Sequence, residues 1–551
     1  MKHFLLLFTI SFILSCQAAI PDPQAYDSGL ITVPEDYSTP AGRTIEVYWE
    51  RLKCSGTSQG AVICINGGPG CTHDTFHNLD MTTASYKEDH LSKLREKFDV
   101  YYFDQRGNGE SSKIDESSMG LSAEVLTLKC CDNLKNLEGV LEIYLQDIGE
   151  TLPTIEQLNA LAGNLKCPCR GNYSITGDAQ TGYRLKCDKH NTVQNPVTVQ
   201  PENIQPAKLA CYGTPNICRD IEEIRKQVIK KDRIVVFGES YGGMVALSYA
   251  TLFPGSVEKL IIHDSAASDD YYTSLPANCD DNIKLLDGTI HQGIRNNYLT
   301  SIKKFDSQEV ELPDGVNLSS DEFLALVRGL TYSMEGHAMV AKIVDEIARN
   351  GSSETLNLIL QLMGGGTRTD RALEQNENVY KITVAQEMQD DKAVESAAAQ
   401  NGTLEIYTYR WLDKMSCQGI AAFRKQSGLN QFTGYNVTEK FSQLKMPVLV
   451  FVGKFDPITP QKYAEQISKG IGSNCELVLL EKSAHAGLIE QNDLVIPKIM
   501  SFLTGKELPA EVAELNTGYP EIKRSFTRED VARIYLENMR YGNSRQSDPG
   551  F

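Results

Sequence analysis

The stretch that most constrains this chain runs from Arg233 to Phe253, RIVVFGESYGGMVALSYATLF. Its apolar run, Ile234 to Phe237, has the character of a strand buried on both faces. Gly238-Glu239-Ser240-Tyr241-Gly242 follows, and then small and apolar residues at helical spacing: Met244, Ala246, Leu247 and Ala250. Strand, Gly-x-Ser-x-Gly and helix, in that order, make the setting of a nucleophile elbow, where a serine hydroxyl stands exposed on a sharp turn. The glycines answer a steric demand, since side chains beside the serine would hold strand and helix apart. A short glycine-serine pattern also occurs in plain turns, so the reading depends on what the rest of the chain supplies.

Two later segments supply it. The run Pro447 to Val452 reads as another buried strand and leads into Gly453-Lys454-Phe455-Asp456-Pro457-Ile458-Thr459-Pro460. A strand at Glu476 to Leu480 leads into Lys482-Ser483-Ala484-His485-Ala486-Gly487. The order serine, acid, histidine, each after its own strand, is the order in which such triads occur on a sheet of this kind. Ser240, Asp456 and His485 are therefore the expected catalytic residues. Asp456 also has an ordinary reading as a loop aspartate capping a helix, and His485 one as a surface histidine. Asp264, after the strand Lys259 to His263, is the rival acid. His73 and His77 follow the first glycine loop too closely in sequence to serve as the base.

Upstream, alternation at Ile45, Val47 and Trp49 marks a strand after the turn Thr39-Pro40-Ala41-Gly42. Ala61 to Ile65 is a buried strand that ends in Asn66-Gly67-Gly68-Pro69-Gly70. Backbone N–H groups in such a loop are free to face a developing oxyanion, so Gly68 and the N–H of Tyr241 are the expected oxyanion donors. Val100 to Phe103 is a further strand, followed by Asp104-Gln105-Arg106-Gly107-Asn108-Gly109-Glu110-Ser111.

Taken together, Asn-Gly-Gly-Pro-Gly, Asp-Gln-Arg-Gly-Asn-Gly-Glu-Ser, Gly-Glu-Ser-Tyr-Gly-Gly and Asp-Pro-Ile-Thr-Pro resemble the prolyl aminopeptidase and tripeptidyl aminopeptidase family of α/β-hydrolases. Val33-Pro34-Glu35-Asp36-Tyr37 resembles the start of the secreted tripeptidyl members. The family usually has His where Asn66 stands, and Tyr241 matches the tripeptidyl branch. The resemblance covers roughly residues 26–112, 212–268 and 445–504. It implies an α/β fold, a mostly parallel sheet flanked by helices, with a largely helical cap and, here, a Cys-rich insertion. It implies a serine peptidase acting on peptide N-termini, without a cofactor. Glu239, Asn66 and the cap residue Glu387 are the expected substrate contacts. The segment Val379 to Glu387 is similar to a family segment in which an acid follows a cysteine, here replaced by Ala385, and an exposed helix acid is the ordinary reading of Glu387. Asn66 and Glu239 would also suit a serine carboxypeptidase, which holds a C-terminal carboxylate. A non-peptidase ester or amide hydrolase and a non-enzymatic binding protein complete the alternatives.

At 551 residues the chain exceeds what one core usually organises. The expected division is a leader at 1–19, core at 24–115, a Cys-rich insertion at 116–211, core with the elbow at 212–268, a cap at 269–441, core at 442–505 and an extension at 506–551. In that extension, Thr527-Arg528-Glu529-Asp530 opens a capped helix that packs without chemistry. A net charge of −18 excludes a nucleic-acid partner, which needs a basic face. Lys2 and His3, the apolar stretch Phe4 to Leu14 and small residues at Ser15, Ala18 and Ala19 make an export signal too short to span a membrane. Ile13-Leu14-Ser15-Cys16 also resembles a lipoprotein box, so cleavage near Ala18 and a lipid anchor at Cys16 both stand. The chain is thus expected to be secreted, periplasmic or anchored, with peptides as partners. Seven of the 14 cysteines fall between Cys130 and Cys218, which in an exported protein implies disulfides. Cys167-Pro168-Cys169 with Cys187 lacks the paired C-x-x-C spacing of zinc sites, and no metal is expected. Sequons at Asn172, Asn317, Asn350, Asn401 and Asn436 matter only in a eukaryotic source.

Overall fold

The computed structural model describes residues 26–73, 79–80, 85–86, 91–114, 123–147, 152–161, 165, 167, 169, 171–178, 182–198, 208–266, 271–313, 316–364, 377–387, 405–408, 423–424, 427, 429, 435–523 and 525–542. The leader at 1–19 with Cys16, His77, the sequon Asn401 and much of the expected cap lie outside the described residues.

Continuous apolar runs, unlike alternating ones, demand cover on both faces, and here they build the centre of an eight-stranded sheet. Its strands are β1 (Tyr26–Pro34), β2 (Thr44–Leu52), β3 (Ala61–Ile65), β4 (Asp99–Phe103), β5 (Ile234–Glu239), β6 (Val257–His263), β7 (Val448–Gly453) and β8 (Cys475–Leu480). Their order is β1-β2-β4-β3-β5-β6-β7-β8. β1 and β2 form an antiparallel hairpin, with Gly29 opposite Trp49, and β2 runs antiparallel to β4. From β4 to β8 all neighbours are parallel. Every residue of β3 and of β7 is buried. The mostly parallel sheet expected from the sequence is the one observed.

The order reverses between β4 and β5, around β3, so β3 and β5 lie side by side at the centre, with Val235 opposite Val62 and Gly238 opposite Ile65. Loops leaving the carboxyl ends of neighbouring parallel strands converge, which is where open sheets of this kind carry ligands. Between β6 and β7 the described residues are largely helical and include α3 (Met334–Asn350) and α4 (Glu377–Glu387); α1 (Thr214–Ile224) precedes β5 and α2 (Tyr241–Leu252) follows it. After β8 comes α5 (Arg528–Gly542). Its start is a reciprocal cap: the Thr527 hydroxyl accepts the Asp530 N–H at 3.1 Å, and the Asp530 carboxylate accepts the Thr527 N–H at 2.8 Å. Among the described residues no helix is long and apolar enough to cross a membrane.

A second compact unit comprises Lys113–Leu209 and Gln361–Glu374. Its helix Ala123–Asp147 turns Leu126, Cys130, Leu134, Leu137 and Leu141 to one side at i+3 and i+4 intervals. That stripe forms a small core with Leu158, Leu185, Cys167, Cys169 and Cys187. The strands Tyr173–Asp178 and Gly182–Cys187 make an antiparallel hairpin here, with Tyr173 opposite Cys187. The expected disulfides are not formed among the twelve described cysteines. Of the five described cysteines of this unit, Cys130, Cys167 and Cys187 bring their sulfurs into one group of three rather than into pairs.

Candidate active site

The elbow is built by exclusion of side chains. Ser240, with φ 54° and ψ −123°, lies in a strained backbone region that a non-glycine residue occupies only when its surroundings force it. A Cβ on Gly238 would come within 2.3 Å of the Gly242 carbonyl oxygen, and one on Gly242 within 2.1 Å of the Ile65 carbonyl oxygen. The Ser240 N–H is tied to the His263 carbonyl at 2.9 Å. Ser240 is the N-cap of α2, so Tyr241 is its first residue and its N–H has no intrahelical acceptor.

The three residues expected to form a triad come together. Ser240 Oγ lies 3.1 Å from His485 Nε2, and His485 Nδ1 lies 2.8 Å from Asp456 Oδ2. The Asp-Pro-Ile-Thr-Pro sequence explains how the acid is held. Asp456 Oδ1 accepts the N–H groups of Ile458 at 2.7 Å and Thr459 at 3.0 Å, and the Thr459 hydroxyl donates to Oδ2 at 2.7 Å. Burial alone would raise this carboxyl; its pairing with His485 and these hydrogen bonds outweigh it and hold the group below its ordinary value.

Asp264 lies beside this pair and does a different job. Its carboxyl accepts the N–H of Gly453 at 2.7 Å and of Gly487 at 3.4 Å, joining the two loops that carry Asp456 and His485. Burial, and then the charge of Asp456, push it well above the ordinary range. Its neighbour His263 is wholly buried and driven down to about 3 by desolvation.

The glycine loop lies against the elbow. A Cβ on Gly67 would sit 3.0 Å from the Ser240 Cβ, and Gly68 has φ 110°. Asn66 turns into the loop itself: its Nδ2 donates to the Cys71 carbonyl at 2.6 Å, and its Oδ1 accepts from Gln105 at 3.4 Å. The Asp104 to Ser111 segment braces this loop. Asn108 donates to the carbonyls of Gly70 and Cys71 at 2.7 and 2.8 Å. Arg106, fully buried, makes a two-pronged pair with Asp220 at 2.7 and 2.6 Å and donates to the carbonyls of Glu35 and Cys211. His73 pairs with Asp104, its Nδ1 3.0 Å from the carboxylate.

Glu239 ends β5 beside the serine, its side chain partly open and 3.8 Å from His263 Nδ1. Glu387 does not sit on a helix surface. It is 6% exposed, and its carboxyl accepts both the N–H of Thr214, at 2.5 Å, and the Thr214 hydroxyl. That hydroxyl lies 2.8 Å from the Tyr241 phenol. Burial pushes Glu387 up to about 7. Position in sequence could not reveal this, because the pairing spans 173 residues.

Two supports of His485 escaped sequence reasoning. Tyr332 meets the imidazole edge-on at 5.2 Å between ring centres, and its carbonyl accepts the Ala486 N–H at 2.9 Å. Glu490, pushed by burial to about 7, accepts the N–H groups of Ala484 and Met334. Its neighbour Ser333 caps α3 and is held by Asn538 of α5, whose Oδ1 accepts the Ser333 N–H at 2.9 Å.

The strand–serine–helix elbow thus follows β5, the buried acid follows β7 and the histidine follows β8. Residues 60–289 match the family model described as alpha/beta hydrolase fold, and residues 406–514 match the one described as TAP-like protein. The chain is an α/β-hydrolase. Relatives of this hydrolase include the proline iminopeptidase of Saccharolobus solfataricus, 22% identical over 54% of this chain and 71% of that one. The tripeptidyl aminopeptidase of Streptomyces lividans is 24% identical over 45% of this chain and 36% of its own length, so the match spans about a third of that relative. The solved proline iminopeptidase of Mycobacterium smegmatis aligns at 12% identity and a TM-score of 0.38, over 87% of this hydrolase and 98% of that chain.

Proposed function

We propose that this hydrolase is an exported serine exopeptidase that releases one or a few residues from peptide N-termini through an acyl-enzyme. The observation that carries the reading is the unbroken line from Ser240 Oγ through His485 to Asp456. A serine hydroxyl is a weak nucleophile until an adjacent base takes its proton. On this proposal Ser240 Oγ attacks the scissile carbonyl carbon while its proton passes to His485 Nε2. Asp456 fixes the proton on Nδ1 and stabilises the imidazolium. The developing oxyanion faces the N–H groups of Tyr241 and Gly68, each such donor being worth on the order of 10²–10³ in turnover. His485 returns the proton to the leaving amine, and water, deprotonated by the same nitrogen, releases the acyl group. No metal or cofactor takes part in these steps.

Recognition of the ammonium end is assigned to Glu239, a carboxylate adjacent to the nucleophile. Asn66, whose amide faces the Cys71 carbonyl and Gln105, is better suited to shaping the loop than to holding a substrate carboxylate, which favours N-terminal over C-terminal attack. Glu387, reaching Tyr241 through Thr214, is assigned a positioning role. Export rests on the character of residues 1–19.

The test compares one peptide in free, N-acetylated and C-amidated forms. Acetylation should abolish cleavage and amidation should leave it nearly intact, and the reverse pattern would hand the case to a carboxypeptidase. Glu239→Gln should raise KM for the free peptide roughly 10- to 100-fold, the cost of losing one charge-assisted hydrogen bond.

A further inference from the structure

The sulfurs of Cys130, Cys167 and Cys187 and a ring nitrogen of His190 all lie within 4.8 Å of one another, and all four residues are buried. We propose that these four side chains bind one zinc ion, as a closed structural site in the second compact unit.

The donors come from four places in the sequence. Cys130 projects from the helix Ala123–Asp147, Cys167 precedes the hairpin, Cys187 ends the strand Gly182–Cys187, and His190 lies in the turn after it. Cys167 Sγ lies 3.5 Å from Cys187 Sγ and 3.2 Å from His190 Nδ1, and Cys187 Sγ lies 3.8 Å from the same nitrogen. A tetrahedral zinc, with bonds of about 2.3 Å to sulfur and about 2.0 Å to nitrogen, sets its ligands about 3.5–3.8 Å apart along the edges. The group therefore has the size of a coordination shell. It is too wide for a sulfur–sulfur bond and too tight for an iron–sulfur cluster, whose ligands must surround several atoms.

The surroundings suit thiolates. N–H groups of Cys169 and Gly171 are directed at Cys167 Sγ, and those of Lys189 and His190 at Cys187 Sγ. Such donors offset the negative charge that three thiolates leave on a site with a divalent ion. Gly171 makes the approach possible, since a Cβ there would come within 2.6 Å of Cys187 Sγ. A disulfide could use only two of the three sulfurs and would leave the third thiol and the imidazole of the group outside it. Three thiolates and an imidazole select zinc among common divalent ions, and four protein donors leave no position open for a substrate. Binding displaces the thiol protons, so the site would tighten as pH rises.

The full chain, purified without chelator or thiol reductant, should carry about one zinc ion by elemental mass spectrometry, as a four-ligand structural site requires. Cys187→Ser and His190→Ala should each lose it, while Cys169→Ser, which removes an adjacent sulfur outside the group, should keep it. Should the ligand variants fail to fold, cobalt exchanged into the wild-type chain gives a second readout: thiolate-to-cobalt charge transfer with the visible bands of a tetrahedral ion. A zinc-free protein whose unreduced peptides link Cys167 to Cys130 or Cys187 would overturn the proposal. So would zinc that both ligand variants retain.

Discussion

At the scale of single residues, two buried acids near the nucleophile have opposite duties. His485 and Thr459 hold the Asp456 carboxyl below its ordinary value, and burial pushes that of Asp264 well above it. Ser240→Ala and His485→Ala should each lower turnover roughly 10⁴- to 10⁶-fold, because a triad acts as a unit. Asp456→Asn should cost roughly 10³- to 10⁴-fold, by leaving the wrong imidazole tautomer. Asp264→Asn keeps one acceptor for the two loop N–H groups and should stay within about tenfold, the worth of one neutral hydrogen bond. Steady-state kinetics on the four variants would check this, and a dead Asp264 variant with a live Asp456 variant would exchange their roles. Glu387 and Glu490 carry a pH prediction. Each rises from 4.5 to about 7 on folding, so the folded state holds protons that the unfolded state has released. Their stabilising effect is complete below pH 4.5 and fades as pH climbs through 7, by about 3 kcal/mol for each acid. Urea midpoints measured across that window should fall with pH, and Glu387→Gln with Glu490→Gln should flatten the slope.

At the scale of elements, the elbow tolerates no added carbon. Gly242→Ala would drive a methyl group into the Ile65 carbonyl and should cost about 3 kcal/mol or more. Gly139→Ala, in the helix Ala123–Asp147 with nothing within 4 Å of the new carbon, should instead stabilise by about 0.5–1 kcal/mol. Chemical denaturation of the two variants tests the contrast. The same elements show why the core was readable in sequence: β3, β5 and β7 are buried on both faces, so each leaves an uninterrupted apolar run. Strand ends then place Ser240, Asp456 and His485 in chain order. Glu387 was not readable, because the hydroxyl and N–H that bury it belong to Thr214. Tyr332 was not readable either, since only tertiary packing brings it to His485. The zinc ligands left one local mark, Cys187-Asp188-Lys189-His190, a Cys-x-x-His step concealed from a search for paired cysteines.

At the scale of the whole molecule, the histidine loop depends on elements far from it in sequence. Asn538 of α5 holds Ser333, and Ser333 adjoins the residue whose carbonyl and ring flank His485. Asn538→Ala should leave the triad intact yet lower kcat about threefold to tenfold, the effect of about 1 kcal/mol lost from a buried hydrogen bond, with KM little changed. Stopped-flow acylation of this variant would show whether the loss falls on the chemical step; an unchanged kcat would mean that α5 only packs. The edge-on Tyr332 ring also has a spectroscopic use. The chain has 9 histidines, and a neighbouring aromatic current displaces the ring-proton resonances of the one it faces. Tyr332→Leu should therefore shift the His485 signals while those of His73 and His263, which face Tyr48 and Phe451, stay in place, and the base of the proposed reaction can then be watched in the intact protein while substrate is present.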